Sequence, residues 1–165
     1  MRYEIIDDLL PQAQFAEIFE AIMSPDFPWY RQRKVTGLET EADQNYLDSY
    51  YFTHMLLVDY MKSGYFEVVR PVIERIDHRC LQRVKANLYP HTNEVVHHGV
   101  HSDGPYPSPG AIFFLNTNDG ATVLNGDIVI ESVANRLLLF ESSEPHNSTT
   151  CSNKQVRCNI NFNFF

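Results

Sequence analysis

The 165-residue sequence predicts a mostly β protein, a jelly roll with helices at its N-terminal end. From Cys80 onward, short alternating or apolar runs are separated by turn residues at close intervals, a pattern typical of sandwiches and barrels. Before Cys80, apolar residues recur at helical spacing. The length and the 44% hydrophobic content fit one globular unit. We therefore expect a single domain over residues 1–165, with helical support and a lid region in 1–79 and the barrel in 80–165.

Two helices are expected in the N-terminal part. In "LPQAQFAEIFEAIMSP" the apolar residues fall at i, i+3, i+4 and i+7, between Pro11 and a stop at Ser24-Pro25. A similar apolar stripe predicts a second helix from Tyr65 to Ile76. The polar and then aromatic segment between them has no clear period, and we expect loop and short pieces there. Thr36 to Tyr51 is the candidate for a mobile lid.

Eight strands are expected after Cys80. Turn sequences such as "NTNDG" at 116–120, "NG" at 125–126 and "SSEP" at 142–145 separate them. The predicted strands run over Gln82–Tyr89, Val95–His101, Gly110–Leu115, Thr122–Leu124, Asp127–Ile130, Arg136–Phe140, His146–Thr150 and Val156–Phe164.

Charge and cysteine content exclude some functions. The net charge of −8 and the lack of a basic stripe make nucleic acid and anionic membrane unlikely partners. No run approaches the roughly 20 apolar residues of a membrane span, and the N-terminus does not resemble an export signal. Three cysteines without a CxxC pair suggest reduced thiols and a cytoplasmic location, although Cys151 and Cys158 could meet across a hairpin.

The stretch "HHGVHSDGPYPSPG" contains a candidate metal site. His101 and Asp103 point to one side of a strand, and His146 lies at the entrance of a distant strand. Two imidazoles and one carboxylate form the facial triad of non-haem Fe(II) oxygenases. The alternative is a polar loop with a satisfied histidine, since HxD recurs by chance. We expect His97 and His98 to face solvent or to support the ligands.

A row of polar side chains on two predicted strands indicates a polar pocket. In "RCNINFNFF" the apolar residues alternate with Arg157, Asn159, Asn161 and Asn163, and the strand "RVKANLY" alternates in the same way with Lys85, Asn87 and Tyr89. If the apolar rows pack on the helices, the polar rows line the barrel and can receive a polar anion. The alternative is a sheet face exposed to water.

Several motifs, taken in order, resemble the 2-oxoglutarate- and Fe(II)-dependent oxygenases of the prolyl 4-hydroxylase-like branch. They are "NLYP", "HSD", "GAIFFLN", "DGATVL", "NRLLLF", "PHNS" and "VRCNINFNF", and they cover roughly residues 80 to 165. The resemblance implies a double-stranded β-helix, a jelly-roll barrel of the kind also found in cupins. A cupin itself fits less well, because it would have a second histidine in place of Asp103.

The resemblance also implies roles for individual residues. His101, Asp103 and His146 would bind Fe(II), and Arg157 would pair with the distal carboxylate of the cosubstrate 2-oxoglutarate. Tyr89 and Asn87 would lie near the cosubstrate, with O2 as oxidant and ascorbate as a possible reductant. The polar rows, rather than the resemblance, suggest Lys85, Asn159, Asn161 and Asn163 as the lining of the substrate pocket. Some relatives have a tyrosine hydroxyl where this chain has Phe114. Glu144 and Asn147 flank His146, and they could either orient its ring or be ordinary turn residues.

The leading functional expectation is hydroxylation of a peptidyl side chain, such as proline, or of an amino-acid-like small molecule, with 2-oxoglutarate converted to succinate. The first alternative is a nucleic-acid alkylation-repair demethylase with the same triad, against which the net charge counts. The second alternative is a jelly-roll binding module without catalysis, which the missing hydroxyl at Phe114 would favour.

Overall fold

The computed structural model describes residues 2–33, 50–104 and 106–165. It contains helices α1 (Gln12–Met23) and α2 (Arg70–Ile73), the latter preceded by a 3₁₀ turn at Phe66–Val69. The described residues form eleven strands: β1 (Tyr3–Ile6), β2 (Tyr30–Gln32), β3 (Tyr51–Val58), β4 (Met61–Lys62), β5 (Leu81–Pro90), β6 (Pro109–Phe114), β7 (Ala121–Leu124), β8 (Ile128–Glu131), β9 (Arg136–Glu141), β10 (His146–Ser148) and β11 (Val156–Phe164).

The strands form two antiparallel sheets of unequal size. The larger sheet has the order β1-β9-β6-β11-β5-β3-β2, with β4 paired to β3. The smaller sheet has the order β10-β7-β8. Chain neighbours such as β5 and β6 are separated by β11, as expected for a jelly roll rather than a simple meander. The predicted double-stranded β-helix is confirmed.

The helices pack on one face of the larger sheet, as the sequence predicts. Phe15, Ile18 and Ile22 are the buried residues of α1, and the ring of Phe15 lies 6.1 Å from that of Phe113 on β6. The apolar row of β11 belongs to the same core and comprises Cys158, Ile160, Phe162 and Phe164. The opposite, polar row of β11 therefore faces the interior between the sheets.

A second, smaller apolar cluster joins the two sheets. Ile112, Phe114, Leu138 and Phe140 of the larger sheet contact Leu124 and Ile130 of the smaller one. This cluster fills one end of the space between the sheets, where the inward residues of β6 and β9 are apolar. The end next to β5 and β11 carries the polar side chains.

The N-terminal part contains more strand than expected. Strand β1 extends the larger sheet by pairing with β9, and β3 begins within the segment predicted as loop. The expected helix at Tyr65–Ile76 is divided into the 3₁₀ turn and the four-residue α2. Residues 36–49 of the candidate lid lie outside the described residues, whereas Tyr51 belongs to β3.

The predicted strand Val95–His101 is wrong in form. Two isolated bridges, His97 to Thr149 and His101 to His146, replace a continuous ladder. Gly99 lies between them and weakens strand formation because it has no side chain to pack. The segment nevertheless follows the edge of β10, since the His98 N–H donates to the Ser148 carbonyl at 2.9 Å.

Candidate metal centre

The structure brings His101, Asp103 and His146 together. One ligand atom from each residue lies within 4.8 Å of those of the other two. Backbone pairing sets this geometry: the His101 N–H donates to the His146 carbonyl at 2.9 Å, and the His146 N–H donates back at 2.8 Å. The Asp103 N–H donates to the Ser142 carbonyl at 2.9 Å, which holds the carboxylate on the same side. Residues 45 positions apart in the chain therefore share one centre.

Each histidine has one ring nitrogen next to a backbone carbonyl. Nδ1 of His146 lies 2.9 Å from the Glu144 carbonyl, and Nδ1 of His101 lies 3.3 Å from the Gly99 carbonyl. Because a carbonyl only accepts, Nδ1 carries the hydrogen and Nε2 keeps its lone pair. Nε2 of His146 is buried without a hydrogen-bond partner among the described residues, and Nε2 of His101 is 3.9 Å from the Asp103 carboxylate. Both lone pairs suit a metal ion.

The Asp103 carboxylate is held from its other side. Nδ2 of Asn163 donates to Oδ2 at 2.9 Å, and the Arg83 guanidinium lies 3.1 Å from Oδ1. Burial opposes ionisation of Asp103, but Arg83 and the Asn163 hydrogen bond together hold its pKa below the usual value. For His101, burial and the neighbouring His146 lower the pKa. Both shifts favour the protonation states that a metal ligand needs.

Two neutral imidazoles and one ionised carboxylate are a chemically suitable donor set for Fe(II). The orphaned Nε2 of His146 supports this fit, because a buried polar atom without a partner is uncommon in native structures. Three ligands leave further coordination positions for other molecules. Glu144, considered above as a partner of His146, acts through its backbone carbonyl, while its side chain accepts from Asn125 at 3.2 Å.

A polar pocket opens beside the three ligands. Four residues of the predicted polar rows line it together with the ligands, namely Lys85, Tyr89, Asn159 and Asn161. The cross-strand register explains the grouping, because Lys85 lies opposite Asn161, and Tyr89 opposite Arg157. Tyr51, Thr122, Asn147 and Ser148 also line the pocket. The sequence suggested Asn147 as a partner of His146 and Tyr51 as the end of the candidate lid, but it gave no site role to Thr122 or Ser148.

Three residues of the polar rows, Asn87, Asn163 and Arg157, do not line the pocket. Asn87 is fully buried, and its Nδ2 donates to the Oδ1 atoms of Asn159 and Asn161 at 3.0 and 3.2 Å. It therefore orients two pocket amides. Asn163 instead contacts Asp103 and accepts from Nε of Arg83 at 3.0 Å. Arg83 shares the inward face of β5 with Lys85, and this i, i+2 spacing was the signal by which it could have been found.

Arg157 is fully buried next to the pocket. Its Nε donates to Ser132 Oγ at 2.8 Å and its Nη2 to Thr122 Oγ1 at 3.0 Å. The guanidinium carbon lies 5.2 Å from the Tyr89 ring centroid. Among the described residues no carboxylate lies within ion-pair distance of it, and burial lowers its pKa. A desolvated cation with only neutral partners is suited to an anionic ligand.

Gly120 leaves the space that Arg157 occupies. A methyl group at this position would come within 2.6 Å of Cδ of Arg157 and would also collide with the Thr150 carbonyl. Carbon atoms in ordinary contact are about 3.5–4.0 Å apart. A residue with a side chain at position 120 would therefore displace the arginine.

Of the two positions expected for His98, facing solvent or supporting the ligands, the structure excludes the first. His98 is buried, with Nδ1 2.9 Å from Ser148 Oγ and its ring stacked on Tyr89 at a centroid distance of 5.2 Å. Burial lowers its pKa to about 3. His97 is exposed.

The cysteines Cys80, Cys151 and Cys158 are free, so the disulfide considered for Cys151 and Cys158 is not formed.

Solved structures of oxygenases share this fold. A prolyl hydroxylase from Trichoplax adhaerens, in complex with a hypoxia inducible factor peptide fragment, aligns with 99% of this chain and 83% of its own, with a TM-score of 0.70 and 13% identity. An oxidoreductase of the 2OG-Fe(II) oxygenase family from Burkholderia pseudomallei aligns over 98% and 84%, with a TM-score of 0.68 and 11% identity. A Pseudomonas putida prolyl-4-hydroxylase aligns over 98% and 91%, with a TM-score of 0.63 and 12% identity.

Comparison of the sequence with protein families and with curated proteins identifies no related sequence. No protein-family model matches the chain, and a search of curated proteins finds no significant match. In the part of the chain that the structure describes, no helix has the length and apolar character needed to cross a membrane.

Proposed function

We propose that this protein is an Fe(II)- and 2-oxoglutarate-dependent oxygenase that hydroxylates a peptidyl side chain or an amino-acid-like molecule. The observation that carries the proposal is the convergence of two Nε2 lone pairs and one carboxylate, from His101, His146 and Asp103, beside a polar pocket. That donor set is the facial triad of non-haem iron oxygenases. The shared fold of the solved oxygenases supports the same conclusion.

Arg157 would bind the distal carboxylate of 2-oxoglutarate. Its planar guanidinium can form charge-assisted hydrogen bonds to a carboxylate, and it has no acidic partner among the described residues. Thr122 and Tyr89 both contact it and line the pocket. Because Thr122 Oγ1 accepts from Arg157, its own hydroxyl hydrogen can be donated to the ligand. Thr122 would thus replace the hydroxyl that Phe114 lacks.

When bound, Fe(II) would activate O2, which is the oxidant, and 2-oxoglutarate would supply two of the four electrons that O2 takes up, leaving as succinate and carbon dioxide, while the substrate would supply the other two. The chain's own residues hold the three metal ligands and orient them. The Glu144 and Gly99 carbonyls fix the histidine tautomers, and Asn163 and Arg83 fix the carboxylate. Burial of His146 and Tyr89 limits the access of water.

Further assignments follow from this class. Ascorbate would serve as a reductant for the iron, and the free cysteines are compatible with a reducing cytoplasm. Prolyl hydroxylases are among the proteins that share the fold, so proline within a peptide is the first substrate to test.

The proposal is tested by adding Fe(II) and 2-oxoglutarate without oxygen. We expect a weak visible charge-transfer band, which His101→Ala and His146→Ala should abolish because each removes a metal ligand. His97→Ala, which changes an exposed histidine outside the centre, should keep the band. Absence of the band in the unaltered protein would contradict the proposal. Succinate release in air would then separate an enzyme from a binding module.

A further inference from the structure

Lys85 places a second positive charge in the pocket. It lies in the middle of β5, opposite Asn161 of β11 and Met55 of β3, and it lines the pocket together with the three candidate ligands. No ion pair or hydrogen bond of its amine is found within the described ranges 2–33, 50–104 and 106–165. Its amine lies over the face of Tyr51, with Nζ 5.9 Å from the ring centroid.

No free acidic group among the pocket residues balances the positive charge of Lys85. Asp103 is the acidic residue of the pocket, and its carboxylate is already paired with Arg83 at 3.1 Å. Burial, followed by the nearby Arg83, lowers the pKa of Lys85 to about 8. A cation that is partly removed from water without an acidic partner raises the free energy of the folded state, and a bound anion would offset this cost.

The anion that suits Lys85 differs from the one that suits Arg157. The rung of Tyr89 and Arg157 is four residues along β5 from the rung of Lys85 and Asn161, which is about 13 Å at roughly 3.3 Å per residue. Asn163, the next inward residue of β11 beyond Asn161, contacts Asp103. Lys85 is therefore at the metal end of the pocket, and Arg157 is at the far end. With the distal carboxylate at Arg157, Lys85 remains available to another molecule.

We propose that Lys85 binds a carboxylate of the substrate that is hydroxylated, as distinct from 2-oxoglutarate. That substrate would then be a free amino acid, an N-acylated amino acid or the C-terminal residue of a peptide. This inference rests on the proposed function and narrows its substrate class. A carboxylate on Lys85 places the adjoining carbon atoms beside the candidate ligands. Asn161, directly opposite on β11, provides an amide for the substrate's own polar groups.

The test compares N-acetylglycine with N-acetylglycinamide, which differ in the carboxylate alone. The protein is loaded with Zn(II) and 2-oxoglutarate, so that the metal site and Arg157 are both occupied. No turnover occurs, because Zn(II) has no redox chemistry. Dissociation constants come from NMR chemical-shift titration. We expect the acid to bind about tenfold more tightly than the amide, as one charge-assisted hydrogen bond allows. Lys85→Met should remove the difference and Lys85→Arg should keep most of it.

Control variants distinguish a failure of the Lys85 proposal from a failure of the proposed function. Lys154→Met, which removes an exposed lysine, should behave as the unaltered protein does. Equal binding of acid and amide, or no saturable binding of the acid, would overturn the proposal. A loss of 2-oxoglutarate affinity in Lys85→Met would also overturn it, because Lys85 would then belong to the cosubstrate site. If the unaltered protein fails to bind Zn(II) and 2-oxoglutarate, the proposed function fails, and the same titration on the metal-free protein still decides the role of Lys85.

Discussion

Arg157 shows how single residues define this pocket. It lies fully buried among Ser132, Thr122 and Tyr89, without an acidic neighbour among the described residues. An arginine so placed costs desolvation free energy, which hydroxyl and ring contacts offset in part. An anionic ligand would complete the pairing of this guanidinium and offset the remaining cost.

Replacing Arg157 by glutamine should weaken 2-oxoglutarate binding by about 100-fold, since two charge-assisted hydrogen bonds are lost. Isothermal titration of the Zn(II)-loaded protein measures this effect. Arg136→Gln is the matched control, because Arg136 pairs with Asp7 at 2.6 Å at the surface. Equal affinity in the two variants would remove Arg157 from the cosubstrate site. Thermal unfolding of both variants checks that the fold is kept.

At the residue scale, the sequence predicted the alternating rows but not their partners. The i, i+2 periodicity placed Lys85, Asn159 and Asn161 on the pocket side, where the structure has them. It could not show that Asn163 reaches Asp103, 60 positions earlier, or that Thr122 reaches Arg157, 35 positions later. Such contacts depend on how the sheets fold over one another, and alternation within a strand contains no information about that.

At the scale of elements, α1 stabilises the larger sheet from the side opposite to the pocket. Ile18 is 1% exposed and belongs to the core that includes the outer row of β11. Substitution of Ile18 by alanine should lower the free energy of unfolding by about 2–5 kcal/mol, because it opens a cavity in that core. Urea denaturation measures the change.

Glu17→Ala, at an exposed position one residue earlier in α1, serves as the control and should change stability by less than about 0.5 kcal/mol. Folded Ile18→Ala protein should still give the charge-transfer band, since the helix contacts none of the candidate ligands. Similar stabilities of the two variants would show that α1 is not part of the core.

Strand β3 shows why an element can escape prediction. Its sequence "YFTHMLLV" is buried at Tyr51, Thr53, His54, Leu56 and Leu57, without strict alternation. The register against β5 shifts between Met55 and Leu57, and such a bulge moves the following side chains to the opposite face. By contrast, β11 is regular as far as Asn163, and its period of two was recognisable. Regular pairing is what makes a strand predictable.

On the scale of the whole molecule, burial of His98 couples stability to pH. Its pKa is about 3 in the folded protein, against 6.5 for an ordinary histidine, so the unfolded chain takes up the proton more readily. The stabilisation from neutral His98 is complete above about pH 6.5 and decreases as the pH falls toward 3. Between pH 7 and 5 this contributes a loss of about 2 kcal/mol.

His98→Phe should therefore lose about 2 kcal/mol less of its free energy of unfolding between pH 7 and 5 than the unaltered protein does. Urea denaturation at the two pH values measures the difference. His97→Gln, at an exposed position, should keep the original dependence. Parallel pH dependence in all three proteins would contradict a buried, neutral His98.

The fold class was within reach of the sequence because short strands, turn residues and a polar row all indicated the same barrel. The complete strand order was not, because β1 is largely exposed and gives no alternating burial pattern to recognise. Beyond the paired residues, the side chain of Asn135, which has a φ of 62°, bonds the Leu10 N–H and carbonyl at 3.1 and 2.8 Å. Long-range contacts of this kind complete the larger sheet.

The close approach of Gly120 to Arg157 also has an evolutionary consequence. Because no side chain fits between residue 120, just before β7, and the side chain of Arg157, an arginine at 157 requires a glycine at 120. Homologous sequences that retain arginine at position 157 should retain glycine at position 120. A larger residue at 120 would still meet the Thr150 carbonyl, so we expect glycine at 120 to persist even in lineages whose basic group lies on another strand, and an alignment would show this.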